Sequence, residues 1–123
     1  MLFRSALPKT GMGINIDIGE ENNIHPKNKQ EVGRRLSLWA LGTVYGQKVS
    51  STSGPLPAGH KVVGSEIELF FTHVDGGLIT KAGDLKGFTI AGEDKQWKPA
   101  AARIEGDKVI VSSPEVKKPV AVR

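Results

Sequence analysis

The sequence contains no cysteine. Disulfides, thiolate zinc sites and cysteine nucleophiles are therefore excluded together. No apolar run approaches the ~20 residues that a membrane-spanning helix needs. The opening residues, MLFRSALPKTG, also lack the long apolar core of a signal peptide. We therefore expect no membrane partner, and the chain itself leaves its cellular compartment unknown.

Aromatic residues make up only 6% of the chain, and its charge is not concentrated. The net charge is +4 over 123 residues. Lysines and arginines are scattered from Arg4 to Arg123 and interleaved with acids. Nucleic-acid-binding domains usually collect their basic residues on one face, so we expect no nucleic-acid partner. Glycine and proline are frequent, at 15 and 7 residues, which predicts many turns and short strands.

The first part of the chain is typical of a strand, a polar loop and a helix. Residues 13–18, GINIDI, carry isoleucine at every second position, which predicts a half-buried strand. Asn28 and Glu31 have the spacing of a capping box, and apolar residues at helical spacing follow it as far as Gly46. One strand and one helix cannot bury each other's apolar faces. We therefore interpret residues 1–48 as the last strand and helix of an α/β domain, which could self-associate through its uncovered surface.

The second part changes character after a polar Gly/Pro-rich stretch at residues 50–59. Short alternating segments separated by turn signals predict antiparallel strands. The candidate strands are 61–63, 66–72, 77–81, 87–91, 101–104, 108–112 and 119–123. We therefore expect a β-sandwich-like domain over residues 49–123 and a chain that is mainly β with some α.

Two residues stand out as candidates for function. His25 lies in the polar loop between the predicted strand and helix, where open α/β folds place their sites, and it could act as a general base. An exposed loop histidine without a role is the alternative. Trp97 could stack on a sugar ring or simply lie at a sheet edge. His60 and His73 lack metal-ligand spacing with each other or with His25, so we expect no metal site.

The segment GMGINIDIGEENNIHPKNKQEVGRRLSLWALGTVYG resembles the C-terminal catalytic segment of bacterial sialate O-acetylesterases, serine esterases of the SGNH-hydrolase type. The resemblance continues through THVDGGL, LKGFTIAGEDK and ARIEGDKVIVSSPEVKKPVAVR, and so covers roughly residues 7–123. It implies the end of an SGNH-type α/β domain followed by a β-sandwich-like domain. It also implies an acetylated sugar or sialoglycan as substrate, no cofactor, and a parent protein that is secreted or periplasmic.

By this resemblance His25 completes a Ser-His-Asp triad, taking the proton of the attacking serine and passing it to the leaving sugar oxygen. The family often has an acid three residues before the histidine, where this chain has Asn22. Asn23 is a second candidate orienting group, and Glu20, Glu21 or Asp17 could substitute. Alternatively, the serine and the histidine act as a dyad. None of the eight serines lies in a Gly-x-Ser context, so we expect a C-terminal fragment without the nucleophile. Alternatively, residues 49–123 form a non-catalytic module that supports a catalytic domain or binds carbohydrate through Trp97.

Overall fold

The computed structural model describes residues 8–80 and 83–123. The chain divides into two compact units, Met1–Gly54 and Pro55–Arg123. It is mainly β, with antiparallel sheets, as the sequence predicted. Among the described residues, no helix is both long enough and apolar enough to cross a bilayer.

The main element in the described part of the first unit is a helix. Helix α1 covers Lys29–Trp39 and continues as a π-helical turn over Ala40–Val44. Its N-terminus is capped as predicted, because the Asn28 side chain accepts a hydrogen bond of 3.1 Å from the backbone N–H of Glu31. Just beyond the helical residues, Gly46 adopts a φ of +65°, a left-handed conformation that glycine allows at a helix end.

The strand predicted at residues 13–18 is not formed. Ile16–Ile18 make a single 3-10 turn, in which the Ile18 N–H donates to the carbonyl of Asn15 at 3.2 Å. Ile16 is 91% exposed, so the alternating isoleucines do not mark a buried face. An isolated strand has no ladder partner, and the described residues of this unit contain no strand that could pair with it. The local turn satisfies the backbone instead.

The described residues of the second unit form seven short strands. In chain order they are β1 (Leu56–Val63), β2 (Glu66–Thr72), β3 (Thr89–Ala91), β4 (Lys98–Pro99), β5 (Ala101–Glu105), β6 (Lys108–Ser112) and β7 (Ala121–Val122). One sheet has the order β1-β2-β6-β5 and the other the order β4-β3-β7. All pairs are antiparallel.

The core of this unit draws side chains from both sheets. Ile67 on β2 and Val109 and Val111 on β6 belong to one buried cluster with Ile90 of β3 and with Val116. Ile67, Ile90 and Val111 are completely buried. Ile67 of β2 and Val109 and Val111 of β6 thus face inward, as in a two-layered β unit. Ile110, on the opposite face of β6, is also buried.

The observed strands differ from the predicted ones mainly at the sheet edges. Strands β2 and β6 have the predicted bounds, whereas β1 begins at Leu56, inside the stretch interpreted as a loop. The two-residue strand β4 was not predicted. Residues 77–80 form no strand, and Lys81, the last residue of that predicted strand, lies outside the described residues.

Candidate active-site segment

The loop that carries His25 is held by a series of short-range contacts. The Asn23 N–H donates to the carbonyl of Glu20 at 3.2 Å, and the Asn23 side-chain oxygen then accepts from the backbone N–H of His25 at 2.9 Å. Lys27 forms an ion pair of 3.0 Å with Glu20 across the turn. Pro26 restricts the backbone next to His25. These contacts fix the main chain of the loop just before the helix cap.

The imidazole of His25 is exposed, and no side chain of the described residues forms a hydrogen bond with it. None of the candidate orienting groups reaches it. The side-chain oxygen of Asn23 accepts a hydrogen bond from the backbone N–H of His25, and Glu20 forms an ion pair with Lys27. Asn22 lies exposed in the turn. The structure therefore places the candidates within one loop without bringing any of them to the imidazole.

A network centred on Arg35 joins the 3-10 turn to α1. The guanidinium donates to both carboxylate oxygens of Asp17, at 2.6 and 2.8 Å, and to the carbonyl of Ile14 at 2.5 Å. It also donates to Glu31 at 2.9 Å, and Glu31 accepts two further bonds of 2.7 Å from Arg34. The sequence analysis missed this network, and the only signal for it was Glu31 at i−3 and i−4 from the two arginines.

The network shifts the acid–base behaviour of its members. Hydrogen bonds from Arg34 and Arg35 lower the pKa of Glu31 from 4.5 to about 2. The pKa of Arg35 is raised by its bonds to Asp17 and Glu31. Because Glu31 accepts from both arginines, its carboxylate does not close the predicted capping box. Both carboxylate oxygens of Asp17 accept from Arg35.

Trp97, the candidate sugar contact, is 37% exposed and lies in the second unit. The guanidinium carbon of Arg123 lies 4.2 Å from the centre of its ring, a cation–π contact. The backbone of Arg123 is anchored by two hydrogen bonds to Thr89, of 2.7 and 2.9 Å. The arginine therefore covers part of the ring surface that a sugar would use.

Neither of the other histidines completes a metal site. His60 is exposed on β1, and His73 contacts the neighbouring Thr72 hydroxyl at 3.2 Å. Within residues 8–80 and 83–123, no three side chains of the metal-binding types His, Cys, Asp and Glu converge.

Comparison with known proteins shows that the chain is similar to parts of two acetylesterases. A carbohydrate acetylesterase from Xanthomonas citri, known from a crystal structure, is 42% identical and superposes with a TM-score of 0.76 over 88% of this chain. Sialate O-acetylesterase from Mus musculus is 33% identical in an alignment of 101 residues that covers 76% of this chain. The chain belongs to the sialate O-acetylesterase family.

The chain spans only part of these relatives. It covers 18% of the length of the mouse enzyme and 25% of the Xanthomonas citri enzyme. Sialate O-acetylesterase from Homo sapiens matches a shorter stretch, 38% identical over 55 residues. No protein-family profile matches the chain.

Proposed function

We propose that this chain carries the general base of a carbohydrate O-acetylesterase and that the base is His25. The serine nucleophile then comes from a part of the esterase outside these residues. The observation that carries the proposal is that the backbone of His25 is held in place while its imidazole is exposed. Its backbone is fixed by the side chain of Asn23, at 2.9 Å, while its imidazole is exposed and makes no hydrogen bond with the described residues. Such a histidine is positioned and still available to a serine.

The reaction is acyl transfer in two steps. Neutral His25 accepts the proton of the serine hydroxyl as the serine oxygen bonds to the acetyl carbonyl carbon. The bond from that carbon to the sugar oxygen then breaks, and protonated His25 returns its proton to the sugar oxygen. In the second step a water molecule gives its proton to His25 and attacks the acetyl-serine. The bond from the acetyl carbon to the serine oxygen breaks, the serine regains its proton from the histidine, and acetic acid leaves and ionises in water.

Of the candidate orienting groups, Asn22, Asn23 and Glu20 form no hydrogen bond with the imidazole of His25. Glu20 is paired with Lys27 at 3.0 Å, and Asn23 is occupied by the backbone of His25. Asn22 could accept a hydrogen bond from the imidazole but would carry no charge to stabilise the imidazolium. We therefore propose a serine–histidine pair in which neither Asn22, Asn23 nor Glu20 acts as the acid.

The proposed substrate is an acetyl ester on sialic acid or on a related sugar. The names of the relatives support this class, since they describe sialate and carbohydrate acetylesterases.

Acetyl-ester hydrolysis by the purified 123-residue chain tests where the nucleophile lies. We expect no hydrolysis of O-acetylated sialic acid above the buffer rate, in the wild-type chain or in His25→Ala. The matched control is His60→Ala, which removes another exposed histidine. Activity that disappears in His25→Ala but persists in His60→Ala would place a nucleophile within this chain and overturn that part of the proposal.

A further inference from the structure

The outer face of the four-stranded sheet carries ion pairs. Lys108 on β6 contacts Glu68 on β2 at 2.6 Å, and Arg103 on β5 forms two hydrogen bonds with Glu66, of 2.8 and 3.0 Å. Phe70 shares this face because it lies two residues after Glu68 on the same strand. Its ring is 38% exposed. A large apolar side chain therefore interrupts a charged surface.

The neighbouring strand explains why the ring of Phe70 is uncovered. The residue opposite it on β1 is Gly59, and the register shifts between Pro57 and Gly59. A side chain at this cross-strand position would ordinarily pack beside the ring. Gly59 has none, and a Cβ built there would meet no atom within 4 Å. The space beside Phe70 is thus open on the side of β1, while Lys108 lies opposite Phe70 on β6.

A groove of about 310 Å³ occupies this end of the sheet. Phe70 and Phe71 form its apolar part, and Glu105, Asp107 and Lys108 supply its polar part. Its volume is at the small end of the range for ligand sites, about 300–1,000 Å³. An apolar surface beside a few hydrogen-bonding groups matches a pyranose ring, which has a C–H face and a rim of hydroxyls.

We propose that this groove binds a single neutral sugar ring. The C–H face of the sugar lies on the ring of Phe70, and its hydroxyls donate to the carboxylates of Glu105 and Asp107. Lys108 contacts Glu68 at 2.6 Å and Glu105 at 3.7 Å, so its charge is already partly neutralised. Asp107 then leaves the rim negative, which disfavours a sugar bearing a carboxylate.

Phe70 and Trp97 are equally exposed, at 38% and 37%, and the position of the neighbouring side chains favours Phe70 as the platform. The guanidinium of Arg123 lies over the ring of Trp97 at 4.2 Å. Phe70 lies opposite Lys108 on β6, but its partner on β1, Gly59, has no side chain. The hydrogen bond to Glu68 raises the pKa of Lys108, so the lysine remains a charged donor at the rim of the groove. The groove involves neither His25 nor an acyl transfer, and its role is binding.

Titration of the 123-residue chain with simple sugars, followed by NMR, tests this site. The probes are methyl β-galactoside and methyl β-glucoside, with N-acetylneuraminic acid as the charged comparison. We expect saturable shifts of the Phe70 ring and the Lys108 amide in the millimolar range for a neutral glycoside. Phe70→Leu, which keeps apolar bulk without the planar ring, should weaken binding about fivefold or more. Trp97→Phe, the matched control, should bind as the wild type does.

Two results would overturn the proposal. One is a wild-type chain in which neither glycoside gives saturable shifts at Phe70, and the other is a set of shifts centred on Trp97 and lost in Trp97→Phe. If Phe70→Leu is unfolded, Glu105→Gln combined with Asp107→Asn replaces it, and unchanged affinity in that variant also contradicts the site. Because no ester is cleaved in this assay, its failure leaves the proposed role of His25 unaffected.

Discussion

Arg35 holds Asp17 through two parallel hydrogen bonds, from Nη1 to Oδ1 at 2.6 Å and from Nη2 to Oδ2 at 2.8 Å. Such a two-point contact fixes orientation as well as distance. It attaches the 3-10 turn at Ile16–Ile18 to the middle of α1. The loop that carries His25 begins at the end of this turn, so the contact restrains one end of the loop while the helix cap restrains the other.

Loss of the Arg35–Asp17 contact should loosen the turn before the His25 loop. In Arg35→Lys a single ammonium replaces the guanidinium and cannot form both hydrogen bonds in the same geometry. We therefore expect the Ile18 amide to exchange with solvent about two- to fivefold faster. Arg34→Lys is the matched control, because Arg34 contacts Glu31 and not Asp17. Equal exchange of the Ile18 amide in the wild type and in Arg35→Lys would show that the contact does not restrain the turn.

Because the pKa of Glu31 is lowered in the folded chain, the stability of the first unit should decrease at acidic pH. The native pKa is about 2, below the ordinary 4.5, so its contribution is complete above pH 4.5 and is lost as the pH falls toward about 2. An NMR titration of the Glu31 carboxyl carbon should show this low value. In the double variant Arg34→Gln/Arg35→Gln it should return toward 4.5. A Glu31 carboxyl that titrates near 4.5 in the wild type is the contrary result.

Substitution by alanine at two glycines of the first unit should change the stability of that unit in opposite directions. Gly33 lies in α1, and a Cβ there would meet no atom within 4 Å, so Gly33→Ala should stabilise the unit by about 0.5–1 kcal/mol. A Cβ on Gly11 would overlap the ring of Trp39, so Gly11→Ala should destabilise it by about 1–3 kcal/mol. Urea unfolding, followed by Trp39 fluorescence in a Trp97→Phe background, compares the two. Equal effects would contradict the packing of Gly11 against Trp39.

The exposed isoleucines of the first unit lead us to predict self-association. Ile16 and Ile24 are 91% and 89% exposed, and water is a poor environment for two such β-branched side chains. Sedimentation velocity should show a weight-average mass that rises with concentration. Ile16→Thr/Ile24→Thr should remove that rise, and Ile79→Thr should not, although Ile79 is 83% exposed in the second unit. A wild-type chain that stays monomeric at all concentrations would contradict the prediction.

Sequence patterns predicted two kinds of element: a helix start that is set by a local cap, and a strand with alternating inward and outward residues. Strand β2 alternates around the fully buried Ile67, and the start of α1 follows from the Asn28 cap. The edges were harder to predict. Pro57 and Gly59 indicate a loop by composition, yet both pair with β2, because an edge strand tolerates residues that would weaken a central one.

The predicted strand at residues 13–18 failed for a different reason. Period-two isoleucines indicate a strand only when another strand is available to pair with it, and sequence alone does not supply that information. Likewise, the sequence indicated His25 as a candidate catalytic residue but could not show which hydrogen bonds the neighbouring side chains form. That Asn23 holds the backbone of His25, and that Asp17 contacts Arg35, depends on side-chain directions within a folded loop.

The role of His25 is tested most directly in a chimera that contains a complete esterase. The matching quarter of the Xanthomonas citri carbohydrate acetylesterase is replaced by this chain, which is 42% identical to it. Hydrolysis of O-acetylated substrate is then compared in the chimera, in its His25→Gln variant and in its His60→Gln variant. We expect kcat to fall by on the order of 10⁴-fold or more in His25→Gln and to stay unchanged in His60→Gln. An active chimera whose kcat is the same with and without His25 would contradict the account.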